Sequence, residues 1–255
     1  MMSTEELLIR LLNHLAERLK DRFVLKGGML LRLLESPRYT QDLDFAVLSK
    51  ESKKTVLKEI AAILRAIPTI EITRQQLNSR SIFIDVEDRS GPTKAVLEIN
   101  VVPSLHLPPE PLSTAKISNL YSLSGRVVRV MAPAESFSNK IAAALERGVG
   151  RDFYDLSLFE PLTAFDETSL LNRLSHLEID RAKPKKISIK TAAELLQKRL
   201  NNLSEQRLKE EIGPLVPREY QPGLLLMIRS SVSRLIQRLE ILGNPAKFHN
   251  RGETK

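Results

Sequence analysis

Apolar residues in the first part of the chain recur first with helical spacing and then in short strand-like runs. Five leucines at helical spacing follow Ser3 and Glu6, a pair with the spacing of a capping box, so a helix is predicted there. The stripe consists of Leu7, Leu8, Leu11, Leu12 and Leu15. A short buried strand is predicted at 23–25, and a helix at 28–34 that ends near Ser36 and Pro37.

The next segments predict a sheet, and the rest of the chain is predicted to be mainly helical. A strand is predicted at 43–48 and a helix at 52–67. Further strands are predicted from the runs TIEITRQQ, RSIFIDVED, AVLEINVV and GRVVRVM, and the proline-rich run PSLHLPPEP predicts a loop. The later helices are predicted at 134–146, 152–159, 166–177, 191–212 and 222–242.

Mixed strands and helices followed by a helical region indicate an α+β fold. We expect an α+β domain over 1–132 and a helical domain over 133–255, with RAKPKK at 181–186 as a linker. There is no apolar run long enough to span a membrane, and acids stand where a signal peptide needs positive charge. A cytoplasmic protein without a membrane partner is therefore expected.

Composition excludes some chemistry and leaves the class of partner open. The chain has no cysteine, which excludes disulfides, thiolate nucleophiles and cysteine-ligated zinc. Its four histidines show no metal-ligand spacing. The net charge of +8 favours phosphate-rich partners. A lysine-rich solvated face would account for the same charge, so a motif has to decide between the two.

Two aspartates stand one residue apart in the segment KGGMLLRLLESPRYTQDLDFAV. On a strand, Asp42 and Asp44 point to the same side while Leu43 and Phe45 point to the other. Their carboxylates would lie about 6–7 Å apart. Like charges at that distance call for a cation, and Mg²⁺ takes carboxylate, water and phosphate oxygens. The alternative is an Asx-type turn with solvated acids.

A glycine pair opens the predicted helix before these acids. Backbone without side chains lets N–H groups approach a phosphate, so Gly27 and Gly28, with the adjacent Lys26, are candidate phosphate ligands. A tight turn with close helix–strand packing is the alternative. Glu98, inside the strand AVLEINVV, is a candidate third metal acid. An arginine would serve equally well as its partner.

A second cluster of charges lies in the helical region. Lys140 and Arg147 share one helical face at spacings of four and three through Ala144, and a lysine there could neutralise triphosphate charge. Solvated surface charges would give the same pattern. Asp152 and Asp155 are i, i+3 neighbours and could simply cap a helix.

The segments LKGGMLLRLL, PRYTQDLDFAV, VLEINV and AESFSNKIAAALERGVGRDFYDL together resemble the AbiEii/AbiGii-type (MenT-like) nucleotidyltransferase toxins, over residues 20–160. The resemblance implies the mixed sheet of the DNA polymerase β-like nucleotidyltransferase superfamily. It also implies a nucleoside triphosphate substrate, Mg²⁺, a nucleotide acceptor that is RNA or protein, and a cognate antitoxin of a type IV system. In some relatives the acceptor is the end of tRNA.

Position by position, the resemblance implies a phosphate loop at Gly27 and Gly28, and metal ligands at Asp42 and Asp44. Glu98 is a weaker match to a third acid of the superfamily. Lys140 matches the lysine of a later motif. In RDFYD, Asp155 is a better match than Asp152 to the last essential acid. The superfamily more widely has Gly-Ser where this chain has Gly-Gly, so a serine contact to phosphate is not implied.

The function expected from the sequence is Mg²⁺-dependent transfer of a nucleotide to an acceptor, with the tRNA end as the favoured acceptor. The helical domain is expected to carry the second half of the active site. Two other classes are carried forward. One is a non-catalytic, basic RNA-binding protein on a transferase scaffold. The other is a metal-dependent nuclease, which also uses paired acids but needs no triphosphate cradle.

Overall fold

The structure is a computed structural model that describes residues 2–179 and 183–244. The chain divides into two compact units, Met1–Ala132 and Pro133–Lys255, each described by itself below. Residues 180–182, which include the first part of the expected linker, lie outside the described residues.

The first unit is a mixed sheet with helices. Its helices are α1 (Thr4–Leu19), α2 (Gly27–Leu33), α3 (Lys53–Arg65) and the short α4 (Ala115–Ser118). Its strands are β1 (Phe23–Leu25), β2 (Asp42–Leu48), β3 (Ile70–Leu77), β4 (Ser81–Asp88), β5 (Lys94–Val102), β6 (Glu110–Ser113) and β7 (Val127–Val130). The seven strands form one sheet in the order β3-β4-β5-β2-β1-β7-β6.

Strand β2 lies at the centre of this sheet and carries the two aspartates at its start. It pairs antiparallel with β1 and parallel with β5. Leu43, Phe45 and Val47 are fully buried, whereas Asp42 and Asp44 are only partly buried. The alternation predicted from the sequence therefore places the acids on the face opposite the buried apolar side chains.

Helix α1 packs its leucine stripe into the core of the first unit. All five predicted leucines are fully buried, and their cluster includes apolar residues of β2, β4 and β5. The Ser3 hydroxyl accepts the Glu6 N–H at 3.1 Å, which caps the helix as the sequence predicted. Burying this stripe removes a large apolar area from water and is the main force that attaches α1 to the sheet.

In its described residues the second unit has helices as its regular elements, together with one isolated antiparallel bridge between Leu177 and Lys185. Its helices are α5 (Pro133–Arg147), α6 (Gly150–Leu162), α7 (Glu167–Leu174), α8 (Ile189–Asn201), α9 (Glu205–Glu211) and α10 (Leu224–Gly243). Helix α6 contacts α5, α9 and α10. The predicted class, an α+β region followed by a helical region, is confirmed.

Two local predictions were wrong. The single helix predicted at 191–212 is instead two helices, α8 and α9. The chain breaks at Asn202, and the Ser204 hydroxyl caps α9 by accepting the Arg207 N–H at 3.2 Å. The proline-rich run 103–111, predicted as a loop, differs from the prediction at its end, where Glu110 and Pro111 begin β6, which pairs antiparallel with β7. Proline tolerates this position because β6 is an edge strand.

Within the described ranges, no helix is both long and apolar enough to cross a lipid bilayer.

Candidate functional site

The first candidate cluster is built around the start of β2. The Thr40 hydroxyl donates to the Asp42 carboxylate at 2.6 Å and fixes its orientation. The backbone carbonyl of Asp44 accepts the Lys26 N–H at 2.9 Å, so the residue before the glycine pair is tied to β2. The two acids therefore share one face of a central strand, beside the loop that leads into α2.

The glycine pair makes room for these acids. Gly27 has φ +73°, and a Cβ added there would lie 2.0 Å from Asp44 Oδ2. A Cβ on Gly28 would lie 2.6 Å from Thr40 Oγ1 and 2.9 Å from an Arg38 nitrogen. Close packing, one of the two readings of the glycines, is therefore present in the structure. Their role as phosphate ligands stays a prediction.

Lys26 is the basic residue beside the acids. Its ammonium lies 4.0 Å from Asp44 Oδ1, and both side chains are largely buried. The contact is longer than a hydrogen bond, so the lysine offsets the negative charge of Asp44 without a direct hydrogen bond. Lys26 therefore stands where it could also reach a phosphate bound next to Asp44.

Glu98 lies next to the aspartates but does not complete a metal cluster. In the parallel β2–β5 pair, Glu98 is directly opposite Asp44. Its carboxylate accepts the Ser81 hydroxyl at 3.0 Å. Among residues 2–179 and 183–244, no three Asp, Glu or His side chains are placed so that they could hold one ion. The structure brings Asp42 and Asp44 to one edge, and Glu98 as a third ligand stays a prediction.

Two residues that the sequence reasoning did not select support this edge. Arg38 is only 4% exposed, and its Nη1 donates to the Tyr39 carbonyl at 3.1 Å. Thr40, also buried, holds Asp42. An arginine so deeply buried beside Gly28 is unusual, because arginine is rarely fully buried unless it is paired. The sequence signal for Arg38 and Thr40 was their position just before Asp42, because hydrophobic periodicity does not distinguish them from other loop residues.

The second candidate cluster lies in the helical unit, where Lys140 and Asp155 form an ion pair. The Lys140 ammonium on α5 donates to Asp155 Oδ2 on α6 at 2.5 Å. The Asp155 side chain is 0% exposed and that of Lys140 is 17% exposed. A buried carboxylate with this partner acts as an anchor for the lysine, and only the cation reaches solvent.

Arg147 on α5 and Asp152 on α6 form a second ion pair, and this pair is bidentate. Arg147 Nε and Nη2 donate to the two Asp152 oxygens at 3.1 and 2.6 Å. Burial lowers the pKa of Arg147, but the charge of Asp152 and its hydrogen bond outweigh this and leave the pKa raised. Asp152 is 0% exposed, whereas 51% of the Arg147 side chain is exposed. The remaining N–H donors of Arg147 can therefore meet another anion.

These two ion pairs hold two basic side chains in place on the α5–α6 hairpin. Each buried acid on α6 holds one base on α5, and each base keeps part of its surface accessible. Such an arrangement presents two cations with fixed orientation, which suits the binding of a phosphate chain. The sequence spacing indicated the four residues but not which acid holds which base.

Comparison with protein families identifies the chain. A family model described as "Nucleotidyl transferase AbiEii toxin, Type IV TA system" matches residues 10–224. The chain belongs to the AbiEii family. The match extends well beyond residue 160, so helices α7, α8 and α9, for which the sequence offered no motif, also lie within the matched region. A search of curated proteins found no match.

Solved structures share the fold of this AbiEii protein. MenT4, a nucleotidyltransferase toxin from Mycobacterium tuberculosis, aligns with a TM-score of 0.66 at 21% identity, covering 93% of this chain and 86% of that chain. A candidate nucleotidyltransferase from H. pylori aligns with a TM-score of 0.55 at 15% identity, covering 93% of this chain and 96% of that one. At these identities the likeness establishes the fold, and the predicted nucleotidyltransferase fold is confirmed.

Membership of the AbiEii family also settles the class of activity. The protein is a nucleotidyltransferase and a toxin of a type IV toxin–antitoxin system. An NTP substrate and an antitoxin partner follow from that class. Family membership does not specify the metal ion, the nucleobase of the NTP or the acceptor.

Proposed function

We propose that this AbiEii-family protein uses Mg²⁺ to transfer a nucleotide from an NTP to the acceptor end of tRNA. The observation that carries the proposal is the pair of acids on one face of β2, next to a glycine pair in which Gly27 makes room for the Asp44 carboxylate. A nucleotide-transfer site needs a metal-binding edge of this kind beside a loop that a phosphate can approach.

The residues at this edge suit a hard divalent ion. Asp42 and Asp44 offer only oxygen donors, and Mg²⁺ is bound by one or two carboxylates together with water and phosphate oxygens. Thr40 already orients one carboxylate, and Lys26 offsets the charge of the other. When bound, the ion would neutralise charge on the triphosphate. Glu98, opposite Asp44, is proposed as an outer acid of the same site.

The other roles belong to the chain's own cations and backbone. We assign Gly27 and Gly28 to backbone contact with the triphosphate, and Lys140 and Arg147 to neutralising its oxygens. An acceptor hydroxyl oxygen bonds to the α-phosphorus, the bond between that phosphorus and the bridging oxygen breaks, and pyrophosphate leaves. The hydroxyl proton passes to a carboxylate near the acceptor. Asp155 is an unsuitable base because it is buried and holds Lys140, so we assign it to positioning.

The decisive assay is incorporation of label. The protein is incubated with total RNA and each labelled NTP in turn, with Mg²⁺ or with EDTA. We expect one NTP to label the tRNA fraction, and EDTA to abolish labelling. Shortening of RNA without NTP would favour the nuclease, and binding without incorporation would favour the non-catalytic RNA-binding protein. Label found only on protein would overturn the tRNA acceptor.

Charge in the second unit supports a nucleic-acid acceptor. From residue 180 to 255 there are 16 Lys and Arg against eight Asp and Glu. Four of the basic residues lie outside the described residues: Arg181, Lys247, Arg251 and Lys255. A basic surface that follows a phosphate backbone binds in a salt-dependent way.

Several arginines in this count serve the fold instead of the surface. Arg234 and Arg238 both pair with Glu160, which is 2% exposed, at 2.6 and 3.1 Å. Arg229 donates to the Leu203 carbonyl at 3.2 Å. Reversing these charges would disturb the helical unit itself, so they are poor probes of RNA binding. Better probes are exposed cations that have no ion pair to any described residue: Lys183, Lys185, Lys186, Lys198, Lys209 and Arg218.

A matched pair of charge reversals tests the acceptor surface. Lys183→Glu with Lys186→Glu should raise the KM for tRNA and reduce the salt dependence of tRNA binding, because phosphate contacts are lost. Lys54→Glu with Lys58→Glu, on exposed positions of α3, makes the same change in net charge elsewhere and should leave tRNA use nearly unaltered. Equal effects of both double variants would show a response to net charge alone and would remove this surface from the proposal.

A further inference from the structure

Helix α6 starts without a capping side chain of its own. Its N-cap is Val149, which offers no side-chain acceptor. The first N–H of the helix, that of Gly150, is accepted by the Glu211 carboxylate, which comes from α9 and lies 61 residues further along the chain. A carboxylate at this position satisfies a free donor and interacts favourably with the helix dipole. Glu211 therefore caps α6 from a distance.

Arg207 completes this contact on the other side of the α5–α6 connection. Its Nε donates to Glu211 Oε1 at 2.7 Å, and its Nη2 donates to the Gly148 carbonyl at 2.9 Å. One ion pair on α9 therefore binds the carbonyl of Gly148 and the N–H of Gly150, on either side of Val149. Charge-assisted bonds of this kind are among the stronger hydrogen bonds in proteins.

Both glycines of this connection are needed for the contact. Gly148 has φ +61°, and a Cβ there would lie 2.0 Å from Arg199 Nη1. A Cβ on Gly150 would lie 2.8 Å from Glu211 Oε2. Side chains at these positions would push the α8 and α9 residues away. The sequence GVG thus fits a surface formed by side chains that follow it by some 50 residues or more, Arg199 and Glu211.

The connection held in this way sets the register of the two helices that carry the second cluster. Lys140 and Arg147 are on α5, and Asp155 and Asp152 are on α6, so both ion pairs depend on how α6 starts. Asp152 lies within the first turn of α6, only two residues after Gly150. A shift of the helix start would move both acids relative to their bases.

We propose that Arg207 and Glu211 are positioning residues that set the orientation of Lys140 and Arg147 through the start of α6. The effect on catalysis rests on the proposed function, because it requires these two cations to act on the NTP. The effect on the Lys140–Asp155 pair does not. The proposal gives the helices after residue 160 a role in the second candidate cluster, although they contribute no residue to it.

The test compares Glu211→Ala with Glu210→Ala. Glu210 is its exposed neighbour on the same helix and bonds only Gln206 among the described residues, so it controls for a general effect of losing an acid from α9. The first readout is the rate at which an amine-reactive ester modifies Lys140, measured by mass spectrometry. Glu211→Ala should raise this rate about tenfold, the factor that corresponds to loss of a charged hydrogen bond, and Glu210→Ala should leave it unchanged.

The second readout is nucleotide transfer. Glu211→Ala should lower kcat/KM about tenfold. It should have a smaller effect when Lys140 is already alanine, and none when Lys140 and Arg147 are both alanine, because it acts through those two residues. Glu211→Gln keeps an acceptor for the Gly150 N–H and should recover part of the activity. If Glu211→Ala does not fold, the same two readouts are measured on Glu211→Gln and Arg207→Lys. The expected changes in Lys140 modification and in kcat/KM are then smaller.

The outcomes separate this proposal from the proposed function. Unchanged modification of Lys140 in Glu211→Ala would overturn the positioning role, whatever the activity. An equal loss of activity in the wild-type background and in a background where Lys140 and Arg147 are both alanine would also overturn it, since that pattern reports general destabilisation. If the wild-type protein transfers no nucleotide, the proposed function fails, and Lys140 modification still decides whether the Arg207–Glu211 pair positions the lysine.

Discussion

Replacing Gly27 by alanine should damage the first candidate cluster far more than it damages the fold. The new Cβ would start 2.0 Å from Asp44 Oδ2 and 2.6 Å from Asp44 Cβ. Real Cβ atoms essentially never come within 3.0 Å of such atoms, so the carboxylate and the loop must separate by about 1 Å. Asp44 is a proposed metal ligand, and the substitution therefore acts on the site directly.

The expected magnitudes for stability and activity differ. An alanine at φ +73° costs about 1–2 kcal/mol in the free energy of unfolding, because Cβ approaches the backbone in the left-handed region. A displacement of about 1 Å in a catalytic group can cost about 100-fold in rate. We therefore expect a small loss of stability together with a loss of about 100-fold in kcat/KM for nucleotide transfer.

Gly223 offers a matched control. It has φ +74°, almost the same as Gly27, but an added Cβ there would meet no atom within 4 Å. Gly223→Ala thus carries the backbone strain without the clash. Urea unfolding of the two variants measures the cost of strain and of the clash, and initial rates of label incorporation measure the effect on Asp44.

The expected result is that both variants lose stability, Gly27→Ala at least as much as Gly223→Ala, and that only Gly27→Ala loses activity. Wild-type activity in Gly27→Ala would mean that Asp44 can move without consequence, and the reasoning that links the glycine to the metal-binding edge would be refuted. An equal loss of activity in both variants would attribute the effect to strain alone.

Three further predictions concern single residues and pairs. Asp44→Ala should abolish transfer while circular dichroism and the urea midpoint stay near wild type, and near-normal turnover would remove Asp44 from the site. Lys140→Ala should raise the KM for NTP, lower kcat, or both, as measured by steady-state kinetics. Lys140→Arg should restore only part of the lost activity, because a planar guanidinium replaces a point charge. Unchanged kinetic constants in Lys140→Ala would mean that Lys140 is an ordinary surface charge. Arg234→Ala with Arg238→Ala should destabilise the helical unit in urea unfolding by more than the sum of the single changes, because Glu160 would be left buried without a partner. Additive single effects would contradict this.

Features that depend on short stretches of chain could be predicted from the sequence. Strand geometry alone places Asp42 and Asp44 on one side and Leu43 and Phe45 on the other, and the structure confirms that division. Helical spacing likewise predicted the buried face of α1. These predictions succeed because the direction of a side chain follows from the local backbone period.

The sequence failed where a weak local signal competed with tertiary contacts. Nothing in the run 191–212 marks a break as clearly as proline or glycine would, yet the chain turns at Asn202 and begins α9 at Glu205. In the same way, β6 begins at the end of a proline-rich run because β7 is there to pair with it. Pairing and packing outweigh local preference in such segments.

Only the tertiary structure decided which charges are partners. In the sequence, Arg234 and Arg238 look like surface charge, but both are bound to Glu160, which is more than 70 residues away along the chain. The sequence predicted helix α6 from residue 152, whereas in the structure it starts at Gly150, whose N–H is accepted by Glu211. Composition and spacing specify charge and local direction. Which groups meet across long separations depends on how the helices pack, because that packing alone brings distant side chains within hydrogen-bond distance.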